Sequence, residues 1–343
     1  METRKIQKVG RSTLNISLPK KWVNLQKLKR GDTVYIEQRK DGALKVSPES
    51  VLKQQVKTKA YTINCDHISE ANTLKWLIPL AYTMGYEFIH ILSSSRITQK
   101  QLEEIRTATK NLIGANIIEV TNQKIMIQCF IDVSKIHVFS LLKRMSVITS
   151  TMLHDVMTAL VELNAELAKT VIDLEKEADD IYYLLTRLIL SSQSSENLAE
   201  ELGLMDLGYI EIDPARMISL SLTKIADYCR EIAKSICNLS EMNLTLEDDL
   251  LQRISSLSQL TLNMFTKSVD AFFSGNILEA IQAINLSYEM RNQVETIRKN
   301  NNIQEITCLV MVMFSLIVEN SRLLCVKAIE KEVNKYDTFP TPH

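Results

Sequence analysis

Residues 168–190 read AKTVIDLEKEADDIYYLLTRLIL, and this stretch decides the fold. Val171, Leu174, Ala178, Ile181 and Leu185 recur at three- and four-residue steps, which predicts an amphipathic helix over 167–190. Asp173, Glu175, Glu177, Asp179 and Asp180 crowd its middle turns. At about 100° per residue, Asp173, Glu177 and Asp180 share one side. Glu175 and Asp179, four apart, fall on the other flank beside the apolar stripe.

The stretch occurs twice. A shift of 112 puts Met152 on Met264, Asn164 on Asn276, Ala168 on Ala280, Ile172 on Ile284 and Leu174 on Leu286. The register holds through a helix, a turn and a second helix, so an internal duplication is expected after residue 133. Helices are expected at 134–162, 165–191 and 214–240, then again at 246–273, 278–298 and 303–335. Asp213-Pro214 starts one helix and Gly275-Asn276 separates two others. The segment 192–212 is a connection without a counterpart. The acids are not duplicated, because Ser287 stands opposite Glu175 and Arg291 opposite Asp179. The expected body is two tandem three-helix bundles, 134–241 and 242–337.

The net charge of −1 conceals a strong division. Residues 1–60 hold 15 Lys/Arg against 5 Asp/Glu, a net +10, and the remainder carries −11. A basic head on an acidic body points to a polyanion-binding module; the alternative is the surplus lysine common in small β modules. The six cysteines show no C-x-x-C spacing, so buried thiols of a cytoplasmic protein are expected. No signal peptide is read. The apolar run 307–318 is shorter than a bilayer span and predicts a buried helix, hence no membrane insertion.

The head, 1–58, alternates at Lys5–Val9 and Leu14–Leu18 around Gly10-Arg11-Ser12. Pro19 sets a turn before a short helix, and Asp41-Gly42 joins two further strands. Four short strands cannot bury a core alone, so two chains are expected to interleave as a homodimer. Residues 59–133 alternate strand and helix signals, including Ala60–Asn64, 86–92, 98–114 and 124–131, and predict a small α/β unit of unreadable role. His67 and His90 are read there as structural imidazoles.

Arg4-Lys5-Ile6-Gln7-Lys8-Val9-Gly10-Arg11-Ser12-Thr13, with Leu18-Pro19-Lys20-Lys21-Trp22 and Leu28-Lys29-Arg30-Gly31-Asp32, resembles the AbrB/SpoVT (MazE-like) swapped-hairpin DNA-binding family. The resemblance implies a β-barrel half-domain completed by a second chain. It also implies that Arg4, Lys8, Arg11, Lys20 and Lys21 face double-stranded DNA, arginines reading guanine and lysines contacting phosphate. A head that only dimerises, or one that caps a toxin, are the competing readings. The body resembles the PhoU family of phosphate-uptake regulators. The residues that carry this are Met152, Ala159-Leu160, Ala168-Lys-Thr-Val171-Ile172, Leu174-Glu175, Ala178-Asp179 and Ile225-Ala226-Asp227-Tyr228. A head and body so joined are similar to archaeal phosphate regulators.

The PhoU resemblance implies a divalent or iron ion on Glu175, Asp179 and Asp227 of the first bundle, a donor set that suits hard cations. Against this stands a solvated flank in which Glu175 and Asp179 pair with Lys176 or Arg187. Thr223-Lys224 replaces the Glu-Arg that often precedes the family's Asp. No second metal site is expected. The leading expectation is a cytoplasmic, non-enzymatic, DNA-binding regulator of phosphate homeostasis that contacts a phosphate ABC transporter or a signalling kinase. The alternative is a PhoU-type adaptor that gates such a partner while its head only dimerises. A di-metal hydrolase is disfavoured because no nucleophile constellation is legible.

Overall fold

The computed structural model describes residues 2–9, 13–38, 42–49, 59–193, 196–206, 209–210, 212–242, 248–298 and 305–337. The chain divides into two compact units, 1–58 and 59–343.

In the first unit, β1 (Gln7–Val9) pairs antiparallel with β2 (Thr13–Asn15), placing Lys8 opposite Leu14. Then α1 (Lys20–Leu25) follows Pro19, and β3 (Val34–Gln38) pairs antiparallel with β4 (Leu44–Pro48). These are two separate hairpins, and the described residues form no closed barrel. Pro48 is the one buried residue described in this unit. Ile6, Leu14, Ile36 and Leu44 are each between 64% and 66% exposed, so the apolar faces of both hairpins lack a cover among the described residues of this unit.

The second unit begins with a four-stranded sheet of β5 (Ala60–Asn64), β6 (Phe88–Leu92), β7 (Ala115–Val120) and β8 (Lys124–Cys129), in the order β5-β6-β8-β7. β5 and β6 run parallel because α2 (Thr73–Thr83) crosses between them, and the other pairs are antiparallel. α3 (Gln99–Lys110) starts at a reciprocal cap: Thr98 Oγ1 accepts from Gln101 N at 3.2 Å, and Gln101 Oε1 accepts from Thr98 N at 3.0 Å. Leu74, Ile78, Tyr82, Ile89, Ile91 and Ile127 form its core.

The helical body follows the expected sequence of helices within a few residues at each end. α4 (Val138–Glu162) and α5 (Ala165–Ser192) lead through α6 (Glu196–Glu201) and a short β9–β10 pair (Met205–Asp206, Tyr209–Ile210) to α7 (Ile212–Glu241). α8 (Asp248–Ser274), α9 (Ile277–Arg298) and α10 (Glu305–Asp337) complete it. The connection 192–212 is thus partly built structure. Ala199, Leu202 and Leu204 are apolar and buried in the bundle core, and Val138 N donates to Leu202 O at 3.0 Å.

α4, α5 and α7 pack pairwise, as do α8, α9 and α10; α4 on α8 and α7 on α10 fuse the trios around one continuous core. The repeat is legible in its turns. Leu163 (φ 53°) ends α4 and Gly275 (φ 73°) ends α8, both left-handed and 112 apart. Each precedes an asparagine cap: Asn164 Oδ1 accepts from Leu167 N at 3.1 Å, and Asn276 Oδ1 from Leu278 N at 3.1 Å.

Two expectations need correction. The first concerns length alone: the apolar run at 307–318 continues through Cys308–Val333, long and apolar enough by length and composition to cross a bilayer, while Val310, Met311, Phe314 and Ile317 lie buried in the bundle core as expected. The helix packs against α7, α8 and α9. The second concerns Arg187. Its guanidinium leaves the flank of Glu175 and Asp179 and joins the α/β unit to α5, donating to Tyr82 O at 2.5 Å and Tyr86 O at 2.9 Å. It also lies over the Tyr82 ring at 4.9 Å. Gly85 (φ 84°) ends α2 there, and a Cβ would stand 2.9 Å from Ser191 Oγ.

Candidate carboxylate centre

Glu175 and Asp179 share a face of α5 because they lie one turn apart. α7 packs along that face and brings Asp227 to it. Oxygen atoms of the three carboxylates all lie within 4.8 Å of one another. So the structure places together the three acids singled out in the sequence, drawn from two helices 48 residues apart at their nearest members.

The flank is not solvated at Glu175, whose residue is 6% exposed. Its partner is Arg230, whose Nη1 donates to Glu175 Oε1; Arg230 Nη2 also lies 3.4 Å from Asp227 Oδ1. Lys176, the expected partner, instead holds Asp173 at 2.8 Å on the outer face. The reason is geometric: α7 covers the inner flank, so a long cation from α7 reaches Glu175 while Lys176 points away. Lys224 Nζ holds Asp227 Oδ2 at 2.8 Å, and Glu231 bridges Arg230 at 3.1 Å and Lys234 at 2.9 Å. On the opposite side, Arg144 of α4 donates to Glu177 at 2.5 Å.

The cluster carries an excess of negative charge. Burial raises the Glu175 carboxyl above its usual range and outweighs the opposing pull of Arg230. Asp179 is pushed up to about 7, first by burial and then by Glu175 and Asp227. It makes no hydrogen bond or ion pair among the described residues. Asp180 is pushed up to about 6 by burial and by Glu177, and its Oδ1 is buried with no hydrogen-bond partner among the described residues.

This donor set fits a hard cation. All three donors are carboxylate oxygens close enough to share one ion, and the pull of Arg230 on Asp179 is outweighed by burial and by Glu175 and Asp227. A bound divalent ion would supply electrostatic bridging between α5 and α7, with Glu175, Asp179 and Asp227 holding it.

Arg230 is the residue that sequence reading missed. Its signal was present, since Asp227 and Arg230 stand three apart on one helix face. Thr223 is buried and donates to Ser219 O at 3.0 Å, while Lys224 takes the salt-bridging position.

In the head, Arg4, Lys8, Lys20 and Lys21 are all exposed. Arg4 pairs with Glu2 at 2.5 Å, Lys8 projects from β1, and Lys20 and Lys21 occupy the first turn of α1. Arg11, the bend at Gly10-Arg11-Ser12 and Asp41 of the second turn lie outside the described residues.

The family model for the PhoU domain matches residues 142–236, and that for MazE, the antidote-toxin recognition bacterial antitoxin, matches residues 6–53. No curated protein matches. Among solved structures, PhoU from Pseudomonas aeruginosa is similar at 15% identity and a TM-score of 0.49, covering 58% of this chain and 96% of that one. The chain thus joins a segment matching the MazE antitoxin family to one matching the PhoU domain family.

Proposed function

We propose that the protein is a cytoplasmic, non-enzymatic regulator of phosphate homeostasis that binds double-stranded DNA through a dimeric head. The observation that carries this reading is the joining, in one chain, of a basic head (net +9 over residues 1–58) that matches MazE to an acidic body that matches PhoU. The exposed apolar faces of both head hairpins support dimerisation, since a second copy would bury them. Arg4, Lys8, Arg11, Lys20 and Lys21 supply the cations that meet DNA, and the body relays phosphate status to a transporter or a signalling kinase. Glu175, Asp179 and Asp227 hold a hard divalent or iron cation that sets the α5–α7 spacing.

The test is fluorescence anisotropy of the full chain on duplex DNA over a salt series, with Arg4→Ala/Arg11→Ala alongside. Each neutralised phosphate adds about 0.9 to the log–log salt slope. The expected result is steep salt dependence that the double variant loses. Equal, negligible binding by both proteins would reduce the head to a dimerisation device and leave the adaptor reading in its place.

A further inference from the structure

α2 turns one face to its own sheet and leaves another bare. Leu74, Ile78, Ala81 and Tyr82 are buried, whereas Trp76, Leu80 and Met84 are 75%, 59% and 56% exposed. These three stand at successive four-residue steps, the last being the C-cap of the helix, so they form one row within about 80° of arc. Tryptophan and methionine are enriched at protein interfaces. From usual side-chain areas the row exposes roughly 400 Å² of apolar surface.

We infer that this row is a contact between two copies of the chain, α2 against α2 about a two-fold axis at Leu80. The inference rests on the proposed dimeric head. Two considerations select a second copy over a foreign protein. The first is area: a stable interface between free partners takes about 800 Å² from each, roughly twice what the row offers. A second copy tethered through its head, a few residues before β5, instead sits at an effective concentration on the order of millimolar, where a small contact suffices. The second is self-complementarity. With two antiparallel copies crossing at Leu80, positions four before and four after the axis face each other. Trp76 of each chain then meets Met84 of the partner, giving two sulfur–aromatic contacts, and Leu80 meets its own equivalent.

The experiment uses the full chain with its exposed Cys308 replaced by serine. Leu80→Cys is introduced on the axis, and Lys100→Cys, on the exposed face of α3, serves as the control. Both proteins are sized by light scattering, then oxidised mildly and run without reductant. The expected outcome is a dimer in which Leu80→Cys crosslinks at least tenfold faster than Lys100→Cys, at a rate independent of protein concentration. Adding Trp76→Glu should cut that crosslinking tenfold without changing the dimer mass. A dimer in which the two cysteines crosslink equally slowly overturns the α2 contact alone and assigns the row to another partner. A monomer overturns the dimeric head and this inference with it.

Discussion

The two bundles share a frame and differ in what they bury at one point of it. In the first, position 175 holds a glutamate 6% exposed, answered across the helix pair by Arg230. In the second, the equivalent Ser287 is 5% exposed and satisfies itself by donating to Ile284 O, one turn back on its own helix. One turn on, Asp179 faces other carboxylates, whereas its counterpart Arg291 reaches Glu319 at 2.9 Å on the surface. A duplicated helix pair therefore does not need the acids to fold. The serine is the inexpensive solution, whereas the first bundle keeps a cluster in which Glu175 and Asp227 oppose the charge on Asp179.

The comparison breaks if the first cluster is no costlier to disturb than the second. Arg230→Ala strips the cation from a mostly buried Glu175 and from Asp227, and should destabilise by about 3 kcal/mol in denaturant melts, with part recovered on adding Mn²⁺. A loss below about 1 kcal/mol would mean that the pair is a surface bridge.

Arg187→Ala should cost about 2 kcal/mol, since Tyr86 O loses the guanidinium donor, Tyr82 O keeps its backbone donor Gly85 N–H but not the guanidinium, and the Tyr82 ring contact goes with them. Amide exchange should accelerate in α2 while the second bundle keeps its protection.

Asp179→Asn sharpens the contrast through pH. The carboxyl titrates near 3.8 when unfolded and about 7 when folded, so the folded state binds the extra proton between those values. Stability therefore falls as pH rises through that window, and above about 7 the whole penalty is present. Three units correspond to about 4 kcal/mol, reduced to about 2 kcal/mol because the group is partly screened. Without metal, Asp179→Asn should raise the melting temperature at pH 8 and leave it unchanged near pH 4. With Mn²⁺ at pH 8 the order should invert if the native carboxylate ligates. Unchanged ranking with metal would remove the cation from the proposal.

Arg291→Ala, the counterpart in the second bundle, should shift stability by less than about 1 kcal/mol, because both partners of its ion pair are about half exposed.

Much of this is legible in the chain itself. The three- and four-residue steps of Val171, Leu174, Ala178 and Ile181 mark α5, and the 112-residue shift carries its turn from Leu163-Asn164 to Gly275-Asn276. Glu175 and Asp179 are neighbours on any helix through those residues, because a turn of 3.6 residues leaves no alternative. Asp227 follows from the family resemblance and not from spacing. Its arrival depends on how α7 packs, and no local period encodes that.

Local sequence determined what one helix or hairpin settles within itself: the periods, the caps, the basic head and the loss of acids from the second copy. Tertiary structure alone decided the partners. Arg230 took Glu175 from Lys176 because a helix packed on the inner flank desolvates the carboxylate there. Arg187 left that flank for Tyr82 and Tyr86 because a second core lay within its reach. Burial chooses among charges that sequence merely makes available, since a desolvated ion must be answered by whichever opposite charge or hydrogen-bonding group the packing brings to it.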